Sequence, residues 1–304
     1  MRNTFANVFY EAAKTNDRLC MLVADISPAG PIAKFSQEYP DRFINTGVAE
    51  QIMIGMAAGM AMRGMKPFAY TIAPFSLLRP YEFVRDDLCY QNLPVTVVGM
   101  GAALVYSTLG TTHQSVEDIA LAATLPNMQV LAPCDPEEVR VATEWCIAQT
   151  NGPVYFRMAK AGEPVFITAY SEPWKFGKLR YLRRGSDICL ITYGATMKMV
   201  MQLADRLQEA GKSVSVISAH TLKPFDADGL RIAMANHSQV VVIEELLPNG
   251  GLAGWAKQIA WDAKATCRLD TFTLRDEFMH FYGSYEELMA EHGLSVDAIM
   301  AKIV

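Results

Sequence analysis

Short apolar runs recur along the first half of the chain: LCMLVAD (19–25), PFAYTI (67–72), PVTVVG (94–99), MQVLAP (128–133) and PVYFRM (153–158). Runs this short and this unbroken read as strands covered on both faces, since neither side of the pleat is spared for water. Between them lie longer helical segments at 50–63, 80–92, 116–125 and 135–149. The last opens on Asp135-Pro136-Glu137-Glu138. That is an N-cap, a proline in the first turn and two acids at the positive end of the helix dipole. Strand–helix alternation predicts a doubly wound, mostly parallel sheet.

The pattern breaks at KAGEPVFITAYSEPWKFGKLRYLRRGSD (160–187), which mixes charge, proline and glycine without period and reads as an inter-domain linker. Alternation resumes with DICLITYG (187–194), a helix up to Gly211, SVSVIS (213–218), a helix around 226–236 and QVVVIEE (239–245). GGLAGWAKQIAWDA (250–263) is a further helix, and 284–302 holds one or two short ones. The expected architecture is α/β with two doubly wound domains: residues 1–165, a linker over 166–186, and a smaller domain over 187–304. A chain of 304 residues supports two separate cores.

A net charge of −5 with no Lys/Arg cluster beyond LRYLRRG (179–185) argues against nucleic acid. The longest apolar run, Ile52–Met62, falls short of the roughly 20 residues that span a bilayer. The six cysteines have no C-x-x-C spacing, so neither a zinc site nor a disulfide framework is expected. Free thiols and a start without the layout of an export signal give the cytoplasm as the expected location.

Two stretches carry chemistry. In NTGVAEQIMIGMAAGMAMRG (45–64), Glu50 stands before an apolar run whose next charge is Arg63. Glu50 is either the cap acid of a buried helix or a carboxyl shielded from water so that it shares a proton with a ligand. Gly55 and Gly59 sit four apart on one face, which permits close approach of another backbone. In TLGTTHQSVED (108–118), His113 lies in a loop ahead of a helix, where open α/β sheets bind ligands. A surface histidine and a catalytic one both fit that position. VGMGAALVYSTLG lacks a dinucleotide fingerprint, and neither a P-loop nor a Gly-Asp-Gly…Asn cluster for Mg²⁺ on a diphosphate occurs.

TGVAEQ, KPFAYTIAPF, LPVTVVG, GTTHQSVEDIA, LPNMQVLAPCDPEE and GPVYF follow one another in an order that resembles the C-terminal half of transketolases. 1-Deoxyxylulose-5-phosphate synthases and the beta subunits of 2-oxoacid dehydrogenases are similar. The resemblance covers the whole chain, as a pyrimidine-binding domain followed by a transketolase C-terminal domain. It implies thiamine diphosphate, with Glu50 hydrogen-bonded to N1′ of the aminopyrimidine and favouring the tautomer that activates the thiazolium carbon. It further implies that Phe75 packs on the aminopyrimidine, with Ile72 as an apolar neighbour. His113 and Arg79 would contact substrate, and Lys160, with Arg157 nearby, would take the place of an arginine that grips phosphate.

The chain also departs from the family. Leu109-Gly110 stands where transketolases place Asp-Gly, the VVGMGAA stretch replaces a histidine or arginine, and Ala29 stands where relatives use a serine for phosphate. These changes imply a remodelled sugar site and a specialised acceptor. Relatives hold the diphosphate and its Mg²⁺ or Ca²⁺ on an N-terminal domain absent from this sequence, and no metal site is expected on this chain. The resemblance therefore implies the small subunit of a split transketolase, moving a two-carbon ketol unit from a ketose to an aldose. Its partner would be a diphosphate-binding subunit in an α2β2 heterotetramer with a beta–beta contact. The alternatives are a 2-oxoacid dehydrogenase beta subunit, a deoxyxylulose-phosphate-synthase-like enzyme, or a regulatory or binding subunit.

Overall fold

A computed structural model describes residues 1–28, 30–160, 162–168 and 171–303. The first half runs α1 (Arg2–Ala13), β1 (Leu19–Val23), α2 (Pro31–Glu38), β2 (Phe43–Asn45), α3 (Glu50–Met62), β3 (Lys66–Ile72) and α4 (Ala73–Leu77). It continues with α5 (Tyr81–Phe83), which passes into π-helical turns at Val84–Tyr90, then β4 (Thr96–Met100), α6 (Asp118–Thr124), β5 (Gln129–Leu131), α7 (Pro136–Ala148) and β6 (Val154–Met158). The second half holds β7 (Arg180–Arg183), β8 (Ile188–Thr192), α8 (Met197–Glu209), β9 (Val214–Ser218), β10 (Thr221–Lys223), α9 (Ala227–Asn236) and β11 (Gln239–Ile243). It ends with α10 (Leu252–Ala263), β12 (Arg268–Phe272), α11 (Tyr285–Glu291) and α12 (Val296–Ile303).

Two sheets result, ordered β10-β5-β6-β4-β3-β1-β2 and β12-β11-β8-β9-β7. Among the described residues every pairing between these strands is parallel except β10 on β5 and β7 on β9. Parallel strands need covered faces, and the five apolar runs supply them: β1, β4 and β6 are buried along their full length. Asp135 caps α7 as expected, its carboxylate accepting from the Glu138 amide at 2.8 Å.

Two strands fall across the boundaries read from composition. The segment assigned to a linker contributes β7, an edge strand of the second sheet, and β10, from the second half of the sequence, completes the first sheet. One apolar cluster joins Met53, Ala57 and Val97 to Ile191, Ile217 and Leu252, so the two halves share a core. On the opposite face of the first sheet, Phe9 packs edge-on to Phe35 and Phe68 at 5.0 and 5.1 Å. Helices α1 and α2, which pack there, go beyond the elements expected from the apolar pattern, as do the short strands β2, β10 and β12.

Candidate active site

The order β3-β1-β2 places the first topological reversal of the sheet beside β1: the chain leaves β1 for β2 on one side, then β3 for β4 on the other. A crevice opens outside the carboxyl ends of the strands at such a reversal, and ligands bind there. The candidate residues follow those ends. Glu50 comes after β2, Phe75 and Arg79 after β3, His113 after β4 and Lys160 after β6.

The turn into α3 is fixed by Asn45, whose side-chain oxygen accepts from the amides of Asp25 and Gly47, both at 3.0 Å. The Thr46 amide donates a hydrogen bond to the Val23 carbonyl at 2.9 Å. Glu50 is thereby set at the start of α3 with 2 % of its surface exposed. Its Oε1 accepts from Arg79 Nη1 at 2.6 Å, while Oε2 is buried without a partner. A buried polar atom of this kind costs free energy until something hydrogen-bonds to it.

Phe75, on α4, touches both neighbours. The Arg79 guanidinium lies 4.3 Å above its ring, and the His113 imidazole meets it edge-on at 5.2 Å. The Thr112 hydroxyl and His113 Nδ1 share a hydrogen bond at 2.9 Å, which commits that nitrogen and leaves Nε2 as the one available to a ligand. The Tyr106 ring also meets His113 edge-on, at 6.3 Å. Ile72 closes β3, half-buried, and leads directly into α4.

The glycines of VVGMGAA are space-makers. A Cβ on Gly99 would lie 2.5 Å from the Tyr155 hydroxyl. One on Gly101 would strike the Tyr106 ring at 2.1 Å, and Gly101 also has a φ of +68°. The stretch that lacks the family's histidine or arginine thus admits two tyrosines instead.

A cavity of about 490 Å³ opens beside Phe75, Arg79 and Thr112. Its opposite wall comes from the second half of the chain, through Leu247, Asp276 and Phe278. Thr111 donates to the Met279 carbonyl at 3.3 Å, and Gly110 faces the Tyr282 ring. No sequence signal announces this wall, because Arg275–Gly283 has neither period nor motif. Glu117 also lines the cavity, and burial raises its carboxyl above the ordinary range.

Lys160 is exposed, with its ammonium 5.1 Å over the Tyr106 ring. Arg2, unmarked by any motif, joins it: its amide donates to the Lys160 carbonyl at 3.2 Å, and its Nε is buried without a partner. Arg157 does not join them. Its guanidinium is buried between Asp118 and Glu245, at 3.0 and 3.1 Å. Its place in β6 turns the side chain into the junction between the two halves. Ala29, aligned with a phosphate-binding serine, lies outside the described residues. Among the described residues no group of three His, Cys, Asp or Glu side chains is arranged to hold a metal ion.

The family model of the transketolase pyrimidine-binding domain matches residues 1–162, and that of the transketolase C-terminal domain matches 177–299. The chain belongs to the transketolase family. It is 30% identical over 302 residues to a subunit of the apulose-4-phosphate transketolase of Actinobacillus succinogenes, covering 99% of this chain and 96% of that protein. It is 33% identical to the 1-deoxy-D-xylulose-5-phosphate synthase of Bacillus mycoides, over 96% of this chain but only 46% of the synthase. A solved structure described as a split gene transketolase, inactive beta4 tetramer, superposes with a TM-score of 0.85 at 28% identity, covering 99% of this chain and 95% of that one. Like transketolases generally, the chain joins a mostly parallel pyrimidine-binding sheet to a second α/β unit.

Proposed function

We propose that this chain is the C-terminal subunit of a split, thiamine-diphosphate-dependent transketolase, a transferase that moves a two-carbon ketol unit from a ketose to an aldose. The observation that carries the reading is Glu50 Oε2: a buried, unpartnered carboxylate oxygen whose twin, Oε1, bonds to the guanidinium that lies over the Phe75 ring. The pair fits an aminopyrimidine, which offers a polar edge to the acid and a flat face to the phenylalanine. When bound, thiamine diphosphate supplies a carbon nucleophile that takes up and releases the ketol unit.

The chain's own residues bind and position. Glu50 holds a proton at a ring nitrogen of the aminopyrimidine, in a setting from which Met53, Ile54 and their neighbours exclude water. Phe75 seats the ring, with Ile72 as an apolar flank. His113 Nε2 is placed to hydrogen-bond substrate oxygens and pass protons. Lys160 and Arg2 give the site two cations for an anionic substrate group, and Asp276 and Glu117 suit sugar hydroxyls. A phosphorylated ketose is the favoured donor class. The relative from Actinobacillus succinogenes is itself named for a sugar phosphate.

The diphosphate and its Mg²⁺ or Ca²⁺ fall to a partner subunit in this reading, and the assembly is α2β2. The exposed apolar positions of α3, Ile52, Met56 and Met62, with Val48 ahead of them, supply a beta–beta contact. The structural neighbour described as a beta4 tetramer is in keeping with such a contact. Among the described residues no helix is long and apolar enough to cross a membrane. The cytoplasm is the proposed location.

Calorimetry of thiamine diphosphate binding to the assembled subunits, followed by product analysis with ketose phosphates, tests the reading. Failure of the wild-type assembly to bind the cofactor overturns it. The similarity to 1-deoxyxylulose-5-phosphate synthases supports a second reading, in which pyruvate is decarboxylated. Release of CO₂ from pyruvate would favour that one.

A further inference from the structure

Glu245 follows β11 in the second half of the chain, yet its carboxylate is buried against the first. Oε1 accepts from Arg157 Nη1 at 3.1 Å and Oε2 from the Tyr285 hydroxyl at 2.6 Å. Arg157 passes the contact on, its Nε lying 3.0 Å from Asp118 Oδ2. Asp118 also receives the Tyr155 hydroxyl at 2.8 Å and the Ser115 hydroxyl at 3.3 Å. Ser115 Oγ in turn accepts from the Ala103 amide at 3.0 Å, and the two residues form a β-bridge. That bridge closes the base of the loop that carries Tyr106, Leu109 and His113. A second tie lies beside it: the Leu247 amide donates to the Val116 carbonyl at 3.1 Å.

We propose that Glu245 is a positioning residue for the His113 loop, acting through Arg157, Asp118 and Ser115. Every side chain in this relay is buried, so water cannot substitute for a lost partner. The geometry is directional. Arg157 is a rigid fork with one tine on each carboxylate, and removing the Glu245 charge leaves it held from the Asp118 side alone. The loop base then loses its buried side-chain anchor to the second half of the chain and keeps only the Leu247–Val116 and Thr111–Met279 bonds, while α3, which carries Glu50 and has no member in the relay, keeps its setting. This gives the C-terminal domain a part in the reaction: it fixes where the imidazole stands. The proposal rests on the reading of His113 as a substrate contact.

Hydrogen exchange on the full chain provides the first test. In Glu245→Gln, amides within 103–116 are expected to exchange about tenfold faster, with those of α3 unchanged. Uniform acceleration across both segments, or none at 103–116, overturns the proposal. If Glu245→Gln does not fold, Glu245→Asp, which keeps the charge but shortens the reach, is read in the same way. The second test is turnover of β-hydroxypyruvate by the chain assembled with its diphosphate-binding partner. Glu245→Gln should lower kcat about tenfold or more at little-changed KM, and should add nothing in a His113→Asn background. Fully additive losses overturn the proposal. A His113→Asn enzyme as fast as wild type would instead fault the role given to His113, leaving the exchange result to judge the loop.

Discussion

Arg79 Nη1 lies 2.6 Å from Glu50 Oε1, and the same guanidinium stacks 4.3 Å above the Phe75 ring. A flat, charged group thus bonds to the acid and covers the aromatic face that an aminopyrimidine would use. The arginine keeps a buried carboxylate paired while being itself 40% exposed.

Arg79→Met separates these roles. Deprived of its ion partner, Glu50 becomes a buried charge without compensation, and the free chain should lose about 1–3 kcal/mol, read by thermal unfolding. Thiamine diphosphate no longer competes with the guanidinium, so its affinity for the assembled enzyme should rise, by about tenfold for each 1.4 kcal/mol of competition removed. Weaker cofactor binding in this variant would mean that Arg79 holds the cofactor rather than its place.

Glu50→Gln keeps the shape of the side chain but cannot accept and return the proton. Turnover should fall by about 10²–10⁴, the usual worth of a positioned acid–base group, while the fold persists. The check is kcat at saturating thiamine diphosphate beside a far-UV spectrum. An unchanged kcat would remove Glu50 from the chemistry.

The sequence disclosed more of the framework than of the site. Largely apolar runs located β1, β3, β4, β5, β6, β8, β9 and β11, because a strand buried on both faces has few places for polar side chains. The three-residue strands β2 and β10 are too short to carry a period, and β7 hides among arginines that an edge strand tolerates. Glu50 stood out because an acid beside an apolar helix is costly. A strand arginine such as Arg157 reads alike whether it faces substrate or a buried carboxylate. Its partner Glu245 lies 88 residues away, a pairing that no local pattern encodes. Arg2 and the wall formed by Asp276 and Phe278 were hidden for the same reason.

Acid should loosen the junction between the two halves through His220. Its ring is 1% exposed, stacks on Trp174 at 4.9 Å, and is held neutral by burial and by Arg180, with its pKa lowered to about 3. The unfolded chain binds the proton near pH 6.5 and the folded one does not, so this contribution is intact above pH 6.5 and is lost as pH falls from there toward 3. The slope cannot exceed about 1.4 kcal/mol per pH unit for one proton. Burial raises the Glu138, Glu244 and Glu245 carboxyls and works in the opposite sense, so the comparison is with His220→Gln. The difference in denaturation midpoint between the two proteins should narrow as pH drops from 6.5 to 4.5. A constant difference would show that the imidazole is not neutral in the fold.

The two glycines of α3 face different surroundings, which allows the beta–beta contact to be tested without disturbing the chain. A Cβ on Gly55 would lie 3.7 Å from Asp87 of the same chain, whereas one on Gly59 meets nothing within 4 Å. Around Gly59 the helix exposes Ile52, Met56 and Met62, at 56%, 38% and 54%. Replacing glycine in a helix interior by leucine favours the helix by up to about 1 kcal/mol, so Gly59→Leu should leave the isolated chain as stable as wild type or more so. A close-packed twin helix has no room for the added side chain, and overpacking of that kind costs about 1–3 kcal/mol. Sedimentation velocity should therefore show weaker self-association in Gly59→Leu, with an unfolding midpoint no lower than that of wild type at concentrations where both are dissociated. Undiminished association would move the contact off this face of α3.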